Sequence, residues 1–155
     1  MKLYRADKRN FSIGDKLETA GEFQQKNPEG SHEIESIFES MRPSEKPQRA
    51  HCLYLFENLD AAKKHWSKMT DGKLYEVDLD VSKILHRADM QFFDMAFDST
   101  DINERIKHAN SYWSGIEAAS PIIEILTESA VVSGIISQNQ SERRAYLRSC
   151  WALKS

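Results

Sequence analysis

Residues 53–66 read LYLFENLDAAKKHW, and the fold turns on how this stretch is divided. The run from Cys52 to Phe56 is short, apolar and aromatic, which predicts a strand. Asn58 or Asp60 then offers a side-chain oxygen to cap a helix. Beyond them Leu59, Ala62 and Trp66 recur at helical spacing, with lysines between. A strand that passes directly into a short helix places the chain in a mixed class.

Outward from this stretch the same alternation of short elements continues. Residues 2–6 predict a short strand, and Gly14-Asp15 a turn. Residues 20–31, AGEFQQKNPEGS, are polar and glycine-bearing and read as a loop. In SHEIESIFESMR the residues Ile34, Ile37, Phe38 and Met41 have helical spacing, with Glu33 and Glu35 in the favourable first turn. Pro43 and Pro47 end that helix and make a connector. KLYEVDLD alternates strictly, with Leu74, Glu76 and Asp78 on one face and Tyr75, Val77 and Leu79 on the other, so it predicts a strand. INERIKHANSYWSG predicts a helix stopped by Gly115, and PIIEILTESAVVSGIISQ a strand, a turn and a strand. QSERRAYLRSCWALK fits a last strand or a short helix, and both stay open. Short strands with few helices make the class α+β, in a single domain over residues 1–155.

Composition bounds the function. With 40% hydrophobic and 29% charged residues the chain is an ordinary globular one, which excludes a disordered segment. A formal net charge of -3 supplies no global positive field for nucleic acid or membrane. Cys52 and Cys150 stand far apart, which argues against a disulfide framework and a zinc site. His32, His51, His65, His86 and His108 are scattered, without metal spacing, and read as surface or packing residues. No long apolar run marks a signal peptide or a membrane span, so a cytoplasmic protein with no metal and no membrane partner is expected.

Common phosphate-loop and nucleophile-elbow fingerprints are absent. An ordered set of smaller blocks is present instead. YRADKRNFSIGD supplies Tyr4, Arg5, Lys8 and a SIGD ending at Asp15. LYLFENLDAAKKHW supplies Tyr54 and the LDAA of Leu59–Ala62. KLYEVDLD follows, then Asp89 in HRADMQFF, and last SYWSGIEAASPIIEILTESAVVSGII. In this order the blocks resemble the ADP-ribosyltransferase superfamily, most nearly its rifampin-modifying branch. That branch has histidine where Arg5 stands, while other branches place arginine there. Glu124 in PIIEIL is similar to the catalytic glutamate of DNA-modifying and RNA-processing relatives.

The resemblance implies a split β-sandwich with flanking short helices. It implies transfer of ADP-ribose from NAD, as co-substrate, to a protein, nucleic-acid or small-molecule acceptor. It also implies a bacterial toxin or defence role, with a cognate antitoxin or immunity protein as partner. Glu124 and Asp89 become the catalytic candidates, and Tyr4, Arg5, Tyr54, Tyr112 and Trp113 the NAD-binding ones.

The chemistry of these residue types is consistent with such roles. An arginine fork suits phosphate and hydroxyl oxygens, and a tyrosine ring suits stacking on nicotinamide. A carboxylate on the ribose hydroxyl stabilises the oxocarbenium-like charge of the transition state. Each residue also has a plainer reading. Arg5 fits a surface arginine at a strand end, Tyr54, Tyr112 and Trp113 fit core aromatics, Glu124 a solvated face and Asp89 a helix cap. Two other functions stand beside the transferase: an NAD glycohydrolase with water as acceptor, and a non-enzymatic interaction module such as an immunity or antitoxin protein.

Overall fold

The structure is a computed structural model that describes residues 1–19 and 31–152. The loop expected over residues 20–31 falls outside the described residues up to residue 30. Among the described residues, seven strands and five α-helices make the chain mixed α+β, and the strand pairings given below are antiparallel. The chain divides into two compact units. One comprises Met1–Leu17, Leu55–Ser82 and Ala130–Ser155, the other Glu18–Tyr54 and Lys83–Ser129. Among the described residues three strands cross these boundaries: β2 (Lys16–Glu18), β3 (Leu53–Phe56) and β7 (Ser129–Ser137).

In the first unit β1 (Lys2–Asp7) pairs with β4 (Lys73–Asp78), Lys2 opposite Asp78 and Asp7 opposite Lys73. On its other edge β4 pairs with β7 (Ser129–Ser137), with two register shifts. The alternation read from KLYEVDLD is only half realised. Leu74, Tyr75 and Val77 are all fully buried, while Glu76 is half-buried and Asp78 exposed. A strand with neighbours on both edges and cover on both faces near its start loses the simple inside-outside rhythm.

The strand-helix reading of residues 53–66 holds. α2 spans Leu59–Ser67, and Asn58 rather than Asp60 caps it, accepting from the Ala61 amide at 3.1 Å. Trp66 is buried and donates from its indole to the Gly72 carbonyl at 2.9 Å. The undecided last segment is a helix, α5 (Gln140–Ala152). Asn139 accepts from the Ser141 amide at 2.8 Å at its start, and buried Arg143 donates to the Ser67 carbonyl at 2.7 Å.

In the second unit β5 (His86–Asp89) pairs with β6 (Ile123–Thr127), placing Ala88 opposite Glu124. Three helices accompany this pair: α1 (Ser31–Met41), α3 (Gln91–Asp98) and α4 (Ile102–Trp113). Ile34 and Phe38 of α1, Phe92 and Ala96 of α3, and Ala109, Tyr112 and Trp113 of α4 form one core with Ala88. Asp101 caps α4, accepting from the Asn103 amide at 2.8 Å. Gly115 follows the end of α4 with φ +73, a left-handed conformation that costs a glycine nothing.

Candidate functional site

The connector after Pro43 and Pro47 closes into a single 3-10 turn, Arg49–His51, immediately before β3. The turn sends the Arg49 side chain inward, where only 6% of the residue is exposed. A buried guanidinium must place its five donors on acceptors. Nε donates to Glu35 Oε2 at 3.0 Å and Nη2 to Glu35 Oε1 at 3.1 Å, a bidentate pair. Nη1 donates to Glu124 Oε1 at 2.7 Å and to the Tyr112 hydroxyl at 2.5 Å. The Tyr112 hydroxyl donates in turn to the same Glu124 Oε1, also at 2.5 Å. Aromatic faces complete the shell: the guanidinium carbon lies 5.0 Å from the Tyr54 ring centre, 4.9 Å from Phe93 and 5.0 Å from Tyr112.

Burial works against the charge on Arg49. Tyr112, Glu124, Tyr54 and Glu35 outweigh it, and they hold the guanidinium well above its ordinary range. Burial pushes the Tyr112 hydroxyl well above the usual phenol range, so Tyr112 is neutral and donates. Burial likewise raises Tyr54, whose hydroxyl donates to the Arg49 carbonyl at 2.5 Å. The neighbouring Cys52 thiol is pushed up to about 11, mainly by burial, and is an inert core residue. Two carboxylates face one guanidinium, so the cluster is formally anionic.

Glu124 is the residue this arrangement singles out. Its Oε1 accepts from both Arg49 and Tyr112, while Oε2 has no hydrogen-bond partner among the described residues. A half-held carboxylate in an aromatic shell can accept a hydrogen bond from a ligand hydroxyl or stabilise a developing positive charge.

Over residues 6–138 the chain matches a family model described as Protein of unknown function (DUF2441). The chain belongs to the DUF2441 family. No curated protein matches it. The DUF2441 match spans Glu35, Arg49, Tyr54, Tyr112 and Glu124 and begins after Tyr4 and Arg5.

The other expected site residues of this DUF2441 chain have different surroundings. Asp89 is fully buried at the end of β5. Its Oδ1 accepts from the amides of Gln91 at 3.0 Å and Ile122 at 3.2 Å, and its Oδ2 from the Ala118 amide at 2.9 Å. That carboxylate brackets three stretches of backbone, beyond the simple helix cap. Tyr112 and Trp113, 0% and 4% exposed, belong to the core, and Trp113 donates to the Phe38 carbonyl at 2.8 Å. Tyr54 is half-buried with its face on Arg49.

Tyr4 and Arg5 lie on β1, in the first unit. Tyr4 is half-buried opposite Glu76 and Phe56. Arg5 is not a surface arginine, with only 19% of its side chain exposed, and its Nη2 lies 3.0 Å from Asp7 Oδ2. Arg9 takes the same carboxylate, Nε to Oδ1 and Nη2 to Oδ2, both at 3.0 Å. Burial pushes Asp7 up, but the bonds and charges of Arg9 and Arg5 overcome it and hold its carboxyl below the usual range. The loop after β1 is fixed by the Tyr75 hydroxyl, which accepts from the Phe11 amide at 3.0 Å and donates to the Arg9 carbonyl at 2.8 Å.

Arg49, Glu35 and Asp7 were not legible as site residues. Arg49 sits in a proline-bearing connector, where no period marks a side chain as inward. The charge of Glu35 places it, in the sequence, at a helix start. It instead borders the apolar stripe, one residue after Ile34 and three before Phe38, and only that neighbourhood signals burial. Among the described residues no cluster of three His, Cys, Asp or Glu could hold a metal ion, and no helix is long and apolar enough to cross a membrane.

Proposed function

We propose that this DUF2441 protein transfers ADP-ribose from NAD to an acceptor, with Glu124 as the catalytic carboxylate. The observation that carries this reading is Glu124 itself: Oε1 is held by Arg49 and Tyr112 while Oε2 is left to accept. The bond between ribose C1′ and the nicotinamide nitrogen breaks, and nicotinamide leaves with the electron pair. The acceptor's lone pair closes on C1′ and its proton passes to water. Between these events positive charge spreads over the ribose ring. Oε2 accepts the ribose hydroxyl hydrogen bond, which strengthens as that charge grows. An anionic cluster favours this state over the ground state.

The finer fold belongs to the same proposal: the α+β frame is an ADP-ribosyltransferase-like split β-sandwich with flanking short helices. Tyr54 lies along the nicotinamide. The acceptor is a protein, a nucleic acid or a small molecule. A toxin or defence role in the cytoplasm, with a cognate antitoxin or immunity protein as partner, completes the reading.

The test is incubation with NAD labelled in its adenosine part, with and without a cell lysate separated into protein, nucleic-acid and small-molecule fractions. Label should appear in one fraction as nicotinamide is released. Nicotinamide release without any acceptor makes the protein an NAD glycohydrolase. Absence of both binding and consumption overturns the enzyme in favour of an interaction module. Binding is read as a rise in melting temperature, because a ligand that binds only the folded state stabilises it.

A further inference from the structure

We propose that Glu35, on α1, is a positioning residue that keeps Glu124 Oε2 open by holding Arg49; this rests on the reading of Glu124 given above. Arginine has a long side chain whose planar fork fits a carboxylate bidentately. Two carboxylates compete for the fork of Arg49. Glu35 takes the Nε and Nη2 edge, at 3.0 and 3.1 Å. Only Nη1 is left for Glu124, and it reaches one oxygen, Oε1, at 2.7 Å. Tyr112 consolidates that choice by donating to Oε1 as well. The two helices that carry Glu35 and Tyr112 are fixed together by the Trp113 indole on the Phe38 carbonyl at 2.8 Å, and by the Phe38 and Tyr112 rings with centres 5.3 Å apart.

Without Glu35, Nε and Nη2 would be buried donors with no acceptor. The nearest remedy is for the fork to rotate onto Glu124 and take both of its oxygens. Oε2 would then be occupied. Glu35 therefore acts on the proposed chemistry without touching the substrate, and it does so from a position 89 residues earlier in the chain.

The experiment compares Glu35→Ala and Glu35→Gln with the unchanged protein. Glu35→Ala should lower kcat for NAD about tenfold to a hundredfold, the scale of a displaced catalytic group, with KM for NAD unchanged. Glu35→Gln keeps an oxygen for the Arg49 fork and should recover most of kcat. Glu35→Asp keeps the charge but withdraws it by one methylene, and serves if the alanine variant does not fold. A second readout is independent of turnover: the carboxyl carbon of Glu124 in protein labelled with ¹³C-glutamate, assigned by its loss in Glu124→Gln. That resonance should move in Glu35→Ala and return in Glu35→Gln. A loss confined to KM, an equal loss in Glu35→Ala and Glu35→Gln, or an unmoved Glu124 resonance overturns the proposal. If the unchanged protein does not turn over NAD, the transferase reading fails, and the resonance alone decides whether Glu35 positions Glu124.

Discussion

The Arg49 guanidinium and the Glu124 carboxylate meet at 2.7 Å with each side chain only 8% exposed. Removing one member of a buried ion pair leaves its partner's charge uncompensated, which costs about 3–5 kcal/mol. Arg49→Met removes the charge and leaves two buried carboxylates facing each other. The expected result is a loss of stability in that range, read as a fall in melting temperature on the order of 10 °C. Combining Arg49→Met with Glu35→Gln and Glu124→Gln should recover part of the loss. Equal stability of Arg49→Met and the unchanged protein would mean that the cluster is hydrated and weakly coupled.

Much of the frame around that pair was readable in the residues, and the pair was not. Ile34 and Phe38 repeat at helical spacing, so α1 appears in the sequence. Asn58 before LDAA marks the start of α2 in the same way. Such signals are local, since a helix period or a cap is complete within one turn. Arg49 is joined to partners 14, 63 and 75 residues away. A contact between distant segments leaves no local period, and the prolines nearby make its segment resemble a linker. Glu124 is nominated in the sequence by a family resemblance. Its holders came only from the structure. Tyr112 and Trp113 lie in the core, and an aromatic pair at a helix end looks the same in sequence whether it faces a pocket or fills a core.

Asp89 illustrates a carboxylate whose bonds define another task. It accepts from the amides of Gln91, Ala118 and Ile122. Asp89→Asn keeps the shape but loses the charge that assists these bonds and turns one acceptor into a donor facing an amide. Stability should fall by about 1.5–3 kcal/mol, measured by urea unfolding. NAD affinity and turnover, taken well below the melting transition, should stay within about twofold. A selective loss of turnover with full stability would return Asp89 to the catalytic group.

His86 sets a pH dependence. The residue is 4% exposed, its Nε2 lies 3.0 Å from the Tyr112 carbonyl, and its Nδ1 has no partner among the described residues. A carbonyl accepts, so Nε2 carries the proton and Nδ1 a bare lone pair. Burial lowers the pKa, aided by Lys46 and Arg49, while the Tyr112 carbonyl bond and Glu124 oppose the shift. The folded state therefore resists a second proton that the unfolded chain accepts near pH 6.5. Stability should be constant above that pH, fall as pH drops below it, and level off once the folded histidine is itself protonated. His86→Gln should flatten this part of the profile of melting temperature against pH. An unchanged slope would assign the acid sensitivity to other groups.

The last prediction separates rate from affinity. Glu124→Gln keeps an oxygen for Arg49 and Tyr112 but places a donor amide where Oε2 accepted. Oε2 is proposed to act mainly as charge develops, so NAD affinity should change little. Turnover should fall about a hundredfold or more, the scale of one lost electrostatic stabiliser. Calorimetric binding of NAD and initial-rate kinetics on Glu124→Gln and the unchanged protein, with melting curves as the control for folding, make the comparison. Loss of affinity in Glu124→Gln with normal kcat at saturation would turn Glu124 into a binding residue.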